Sequence, residues 1–122
     1  MKLHRVMCLS LSLLLFALIL APGLALAAPN VEGKWHASWM ARIMTLSQNG
    51  GKVTGTFGTG TLEGTFAPGS NVLSGTWRSN GGVVNQFQFV FNGDKIVNGF
   101  WDRGEGYARH RQNGIQGNKY KQ

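Results

Sequence analysis

Five short segments of this chain share one pattern: an apolar residue, a variable residue, glycine, a second variable residue and an aromatic ring. Three are nearly identical, Val53-Thr54-Gly55-Thr56-Phe57, Leu62-Glu63-Gly64-Thr65-Phe66 and Leu73-Ser74-Gly75-Thr76-Trp77, and two looser copies run from Val31 to Trp35 and from Val97 to Trp101. In an extended strand alternate side chains share a face, so the apolar residue, the glycine and the ring lie on one side. Lys34, Thr54, Thr56, Glu63, Thr65, Ser74, Thr76 and Asn98 then lie on the other, a polar set to which Phe100 is the exception. The ring-bearing face is therefore the inside. Glycine weakens an isolated strand, but on an inner face it permits the sharp bend that closes a small barrel and leaves space for a neighbouring ring.

The rest of the chain agrees with that geometry. No window from Ala28 to Gln122 has the i, i+3, i+4 apolar spacing of an amphipathic helix, whereas runs rich in Thr, Val, Phe and Trp recur between Gly, Asn and Pro clusters at intervals of about ten residues. The pattern predicts eight strands, near 33–39, 41–47, 52–58, 60–66, 72–78, 84–92, 95–101 and 105–111. Asn49-Gly50-Gly51 and Asn92-Gly93-Asp94 supply hairpin turns, and Gly58-Thr59-Gly60 and Pro68-Gly69-Ser70-Asn71 mark two more reversals. Connections this short join antiparallel neighbours, so the fold class is all-β, a single antiparallel up-and-down barrel of about eight strands. The predicted interior holds Trp35, Trp39, Met44, Leu46, Val53, Phe57, Leu62, Phe66, Leu73, Trp77, Phe87, Phe89, Phe91, Val97 and Trp101. A barrel of this size is either filled by its own side chains or keeps space for one small ligand.

Residues 1–27 read as a segment outside the fold. Lys2, His4 and Arg5 precede an apolar run from Leu9 to Leu20, then Pro22 and Gly23, and Ala25 and Ala27 form a small-residue cleavage pattern. That is the layout of a signal peptide cleaved near Ala27, so the expected location is secreted or periplasmic. The barrel domain is expected over 28–111. The single cysteine, Cys8, lies in the leader, leaving a domain of about 95 residues that must be held by its core without disulfides. Without Lys2 and Arg5, ten of the chain's 12 Lys and Arg remain against five Asp and Glu, and the excess gathers after Arg103. A general nucleic-acid surface is not expected.

Over Gly33-Lys34-Trp35 to Val53-Thr54-Gly55-Thr56-Phe57, and again at Leu73-Ser74-Gly75-Thr76-Trp77 and Val97-Asn98-Gly99-Phe100-Trp101, the chain resembles the avidin and streptavidin type of secreted meander barrel, and more loosely the calycins. The resemblance implies an eight-stranded barrel, and assembly through outer barrel faces. It does not imply biotin binding. The family's Asn, Ser and Tyr donors to the ureido oxygen fall on Ala37, Ala41 and Phe57, and each hydrogen bond lost to a buried acceptor costs about 1–3 kcal/mol.

Ligand binding at one barrel mouth is the leading expectation, with Trp35, Trp39, Phe57, Trp77 and Trp101 as wall residues. No cofactor, metal site or catalytic residue is expected. The one titratable cluster, Asp102, Glu105 and His110 with Arg103, Arg109 and Arg111 around it, reads more simply as a charged hairpin than as an acid–base site. The tail from 112 to 122 has one aliphatic residue, Ile115, and is expected to be disordered and dispensable for stability. Arg109, Arg111, Lys119 and Lys121 offer contacts to an anionic envelope component, the alternative role being a solid barrel that acts through its outer surface or tail.

Overall fold

The computed structural model describes residues 27–38, 42–103 and 110–121. Among the described residues nine strands form one antiparallel sheet: β1 (Gly33–Ala37), β2 (Met44–Asn49), β3 (Lys52–Phe57), β4 (Gly60–Phe66), β5 (Val72–Arg78), β6 (Asn85–Asn92), β7 (Lys95–Asp102), β8 (Arg111–Asn113) and β9 (Gly117–Lys119). Each of β1 to β7 pairs with its sequence neighbour, and β9 bridges β7 to β1, which closes the sheet. β8 and β9 lie along opposite ends of the same strand, β7, and together make the eighth stave of a closed eight-stranded barrel.

Closure by β9 corrects the expected disordered tail. Ala37 pairs with Gly117 and Trp35 with Lys119; the Ser38 amide donates to the Gln116 carbonyl at 2.9 Å and the Tyr120 amide to the Lys34 carbonyl at 2.7 Å. Ile115, the lone aliphatic, is fully buried in the core. Alternation is hidden in this segment because the strand is broken at Gly114, whose φ of 67° few other residues adopt. Of the predicted strand at 105–111 only His110 and Arg111 are described, Arg111 opening β8, and residues 104–109 lie outside the described set.

The inner rows follow the repeated unit. Val53, Gly64, Gly75, Phe87 and Trp101 are successive cross-strand partners, as are Leu46, Gly55, Leu62 and Trp77. In the first row two adjacent glycines are followed by two adjacent large rings, and in the second Gly55 sits between two leucines. A Cβ on Gly64 would press on Phe87 and Leu73, and one on Gly75 would fall on the Glu63 carbonyl and the Gly64 Cα, so at this point the backbones of β4 and β5 meet too closely for any side chain. On the outer face Thr45, Thr56, Thr61 and Arg78 form one row and Ser47, Thr54, Glu63 and Thr76 the next.

Val97 departs from the expectation. The β6–β7 register slips between Val90 and Phe91, so that Phe91 pairs with Ile96 and Val90 with Asn98. The extra residue, Val97, is left facing outward at 40% exposure while Ile96 takes the buried position. Phe100 faces outward as the alternation requires, and the Arg111 guanidinium covers its ring at 3.8 Å.

Aromatic rings run through the interior as a column. Trp101 is parallel to Phe89, Phe87 packs on both, and Phe91 links Phe89 to Trp35 and Phe66. Trp35, Phe87, Phe89 and Phe91 are each at most 1% exposed. The segment before β1 covers one end: Val31 is buried, its amide donates to Gln48 Oε1, the Gln48 amide donates to the Pro29 carbonyl, and Trp35 Nε1 donates to the Val31 carbonyl. Among the described residues the core cluster is drawn from 31–115, with Ala28 packed against it.

Two changes test this architecture. Gly75→Ala should lower unfolding free energy by about 3 kcal/mol, read from the denaturant midpoint, because the methyl group meets backbone; Gly51→Ala, where nothing lies within 4 Å, should change it by less than about 0.5 kcal/mol. Ile115→Ala should cost about 2–5 kcal/mol, and a chain ending at Asn113 should lose its cooperative melting transition, outcomes that a dispensable tail would not produce.

Candidate functional site

In an up-and-down barrel, strands of the same sense deliver equivalent positions to the same end. β3, β5 and β7 run parallel to one another in space and each carries a copy of the repeated unit, so the rings that finish those units, Phe57, Trp77 and Trp101, arrive together. Trp77 and Trp101 stack with centroids 4.4 Å apart and planes inclined by 15°. Phe57 meets both edge-on, at 5.8 and 5.4 Å, an arrangement favoured by the ring quadrupoles. Trp77 Nε1 donates to the Asp102 carbonyl at 2.9 Å, which fixes the indole. Trp101 is buried, whereas Phe57 and Trp77 are half-buried.

Trp35 ends a unit on a strand of the same sense but does not join them. Strand stagger accumulates at β1: through Met44 Trp35 shares a row with Phe57 on one side, while on the other it faces Lys119, beside the start of β7. Its ring packs edge-on against Phe91 at 5.2 Å, deep in the covered half of the barrel. Trp39 lies outside the described residues. Of the five predicted wall residues, the structure therefore brings three together.

Charge is divided between the two barrel ends. Every described arginine belongs to the ring-bearing end: Arg42 in the β1–β2 connection, Arg78 at the close of β5, Arg103 just after β7 and Arg111 at the start of β8. The described lysines, 34, 52, 95, 119 and 121, lie toward the other end. Arg111 forks the Asp102 carboxylate, with Nε to Oδ1 at 2.7 Å and Nη2 to Oδ2 at 3.1 Å. Donation to Asp102 raises the Arg111 guanidinium above its ordinary value, against a smaller opposing effect of desolvation. Arg103 Nη2 donates to Gln112 Oε1 at 3.0 Å, and the Arg42 side chain lies over Gly58.

The titratable cluster resolves into these contacts. Both Asp102 oxygens are engaged by Arg111, the His110 carbonyl accepts the Arg103 amide and the His110 side chain is exposed. Glu105 and Arg109 lie outside the described residues. Of the four cations expected to act together, Arg111 stands at the ring-bearing end and Lys119 and Lys121 at the other, where Lys121 approaches Asp94 at 3.9 Å.

Two features were missed by sequence reasoning. The arginine clustering follows once the odd strands are seen to end at the same side, since all four positions flank connections of that side. The second is an open groove of about 580 Å³ on the outer wall, lined by Thr45, Thr54, Thr56, Thr61, Glu63 and Arg78 among others.

The face-to-face indoles give a spectroscopic handle. Coupling between Trp77 and Trp101 should appear as an exciton couplet in circular dichroism, and Trp77→Phe should abolish it while lowering stability by about 1–2 kcal/mol; Trp35→Phe should leave the couplet in place.

Comparison of the chain with protein-family models, with curated proteins and with solved structures finds no match in any of the three.

Proposed function

We propose that the protein binds a small, flat, apolar or aromatic ligand at the end of the barrel where Phe57, Trp77 and Trp101 meet. One observation carries the reading: two rings of a locked three-ring cluster remain half-buried at a barrel mouth, while the rings below them are fully covered. With the interior occupied by side chains, the ligand is held on top of the rings and not within the barrel. Each stacking contact adds about 0.5–1.5 kcal/mol beyond the area it buries, and the cluster needs little reorganisation to receive it.

The same reading makes this an exported relative in kind of the avidin-type barrels, acting by binding and not by chemistry. Its support is the shared Gly33-Lys34-Trp35 and Val53-Thr54-Gly55-Thr56-Phe57 segments together with a closed eight-stranded barrel. Ala37 and Phe57 place no donor where that family's ligand needs one, so biotin is not the ligand. A second reading, interaction through the outer wall, draws on the groove of hydroxyl side chains between β2 and β5.

Tryptophan fluorescence titrated with a library of aromatic acids, fatty acids and sugars tests the first reading. A ligand should shift emission of the wild-type protein and of Trp35→Phe, and Trp77→Ala should weaken binding at least tenfold, about 1.4 kcal/mol. Silence across the library, or a response that Trp77→Ala leaves intact, would sink it.

A further inference from the structure

We propose that the arginine-bearing end of the barrel is a docking surface for a bilayer that carries anionic headgroups. The connections at this end expose aliphatic side chains that the core does not use. Val83 is 80% exposed, Val84 46% and Ile43 41%. Val83 and Val84 close the connection from β5 to β6, and Ile43 closes that from β1 to β2. The two connections are separated by the β3–β4 hairpin, so their apolar tips straddle the mouth. The other exposed large hydrophobics among the described residues are differently placed: Val97 is the outward residue of the bulge on the wall, and the Tyr120 ring packs against His36 with centroids 5.0 Å apart.

The charge beside those tips has the sign and the chemistry of a headgroup contact. Arg42 adjoins Ile43, and Arg78, Arg103 and Arg111 complete the rim; the one described acid there, Asp102, is already forked by Arg111. Guanidinium stays charged when partly desolvated and grips phosphate oxygens in pairs, which suits it to an interfacial layer better than ammonium. Aliphatic tips inserted among acyl chains with cations at headgroup level is the arrangement of proteins that lie on membranes. A soluble polyanion would match the arginines but give no use to Ile43, Val83 and Val84. That difference selects a bilayer over a dissolved polymer. The surface is built from rim residues and uses none of the three stacked rings, so it stands apart from the ligand reading.

Sedimentation of the full chain with phosphatidylcholine vesicles, with and without phosphatidylglycerol, tests the proposal. Binding should require the anionic lipid and weaken as salt shortens the screening length. Arg42→Gln combined with Arg78→Gln should reduce partitioning by about fivefold for each cation removed. Val83→Asp with Val84→Asp should reduce it at least about tenfold, and Lys52→Gln with Lys95→Gln should alter it less than about twofold. Circular dichroism checks that each variant keeps the Trp77–Trp101 couplet. Failure to sediment with anionic vesicles, retention of full binding by the valine variant, or an equal loss in the lysine variant would each overturn it.

Discussion

Pairing of the last strand with the first is the contact on which the rest of this barrel depends. β1 has β2 on one side and needs β9 on the other; without it the backbone groups of Trp35, His36 and Ala37 face water and β7 loses its neighbour over Lys95 and Ile96. An open sheet of this composition would present a row of unpaired amides and carbonyls beside apolar side chains, the usual template for edge-to-edge association. β9 is only three residues long. It is held in place by Ile115, whose burial anchors the segment before it, and by amide contacts from Ser38, Lys119 and Tyr120.

Closure also explains the division of labour among residue types. Closing eight staves around a small interior brings wall backbones close together, and β4 and β5 do so where Gly64 and Gly75 face each other. The space at Gly64 is taken by Phe87 and Leu73, and that at Gly75 by the backbone of β4. Rings that cannot be accommodated lower down collect at one end, where Trp77 and Trp101 stack and Phe57 closes the cluster. The candidate site thus continues the packing of the core, with Phe57 and Trp77 left half-buried at its end.

Much of this was legible in the residues. The repeated unit defined the inner face, and the turn sequences after Asn49 and Asn92 placed two hairpins. Three elements were not legible, each for a physical reason. Val97 follows the template by sequence but is turned outward by a register slip that depends on its partner strand. The segment after Arg111 is polar and glycine-rich, so its strand character comes from β7 and β1 and not from its own alternation. Trp35 matches Phe57, Trp77 and Trp101 in motif and strand sense, yet the barrel's stagger carries its ring onto Phe91 and not into the cluster, a property of the closed sheet that no single strand encodes.

A barrel whose first strand bonds to its last has a further consequence in time. β1 to β7 can pair in the order in which they are made, each hairpin forming with its predecessor, but the circle stays incomplete until Gly117 to Lys119 has emerged. A contact between residues so far apart in the chain forms late and slowly. Until that segment pairs, the sheet is an open ribbon whose β1 edge is bare, and only its pairing turns the ribbon into a closed wall.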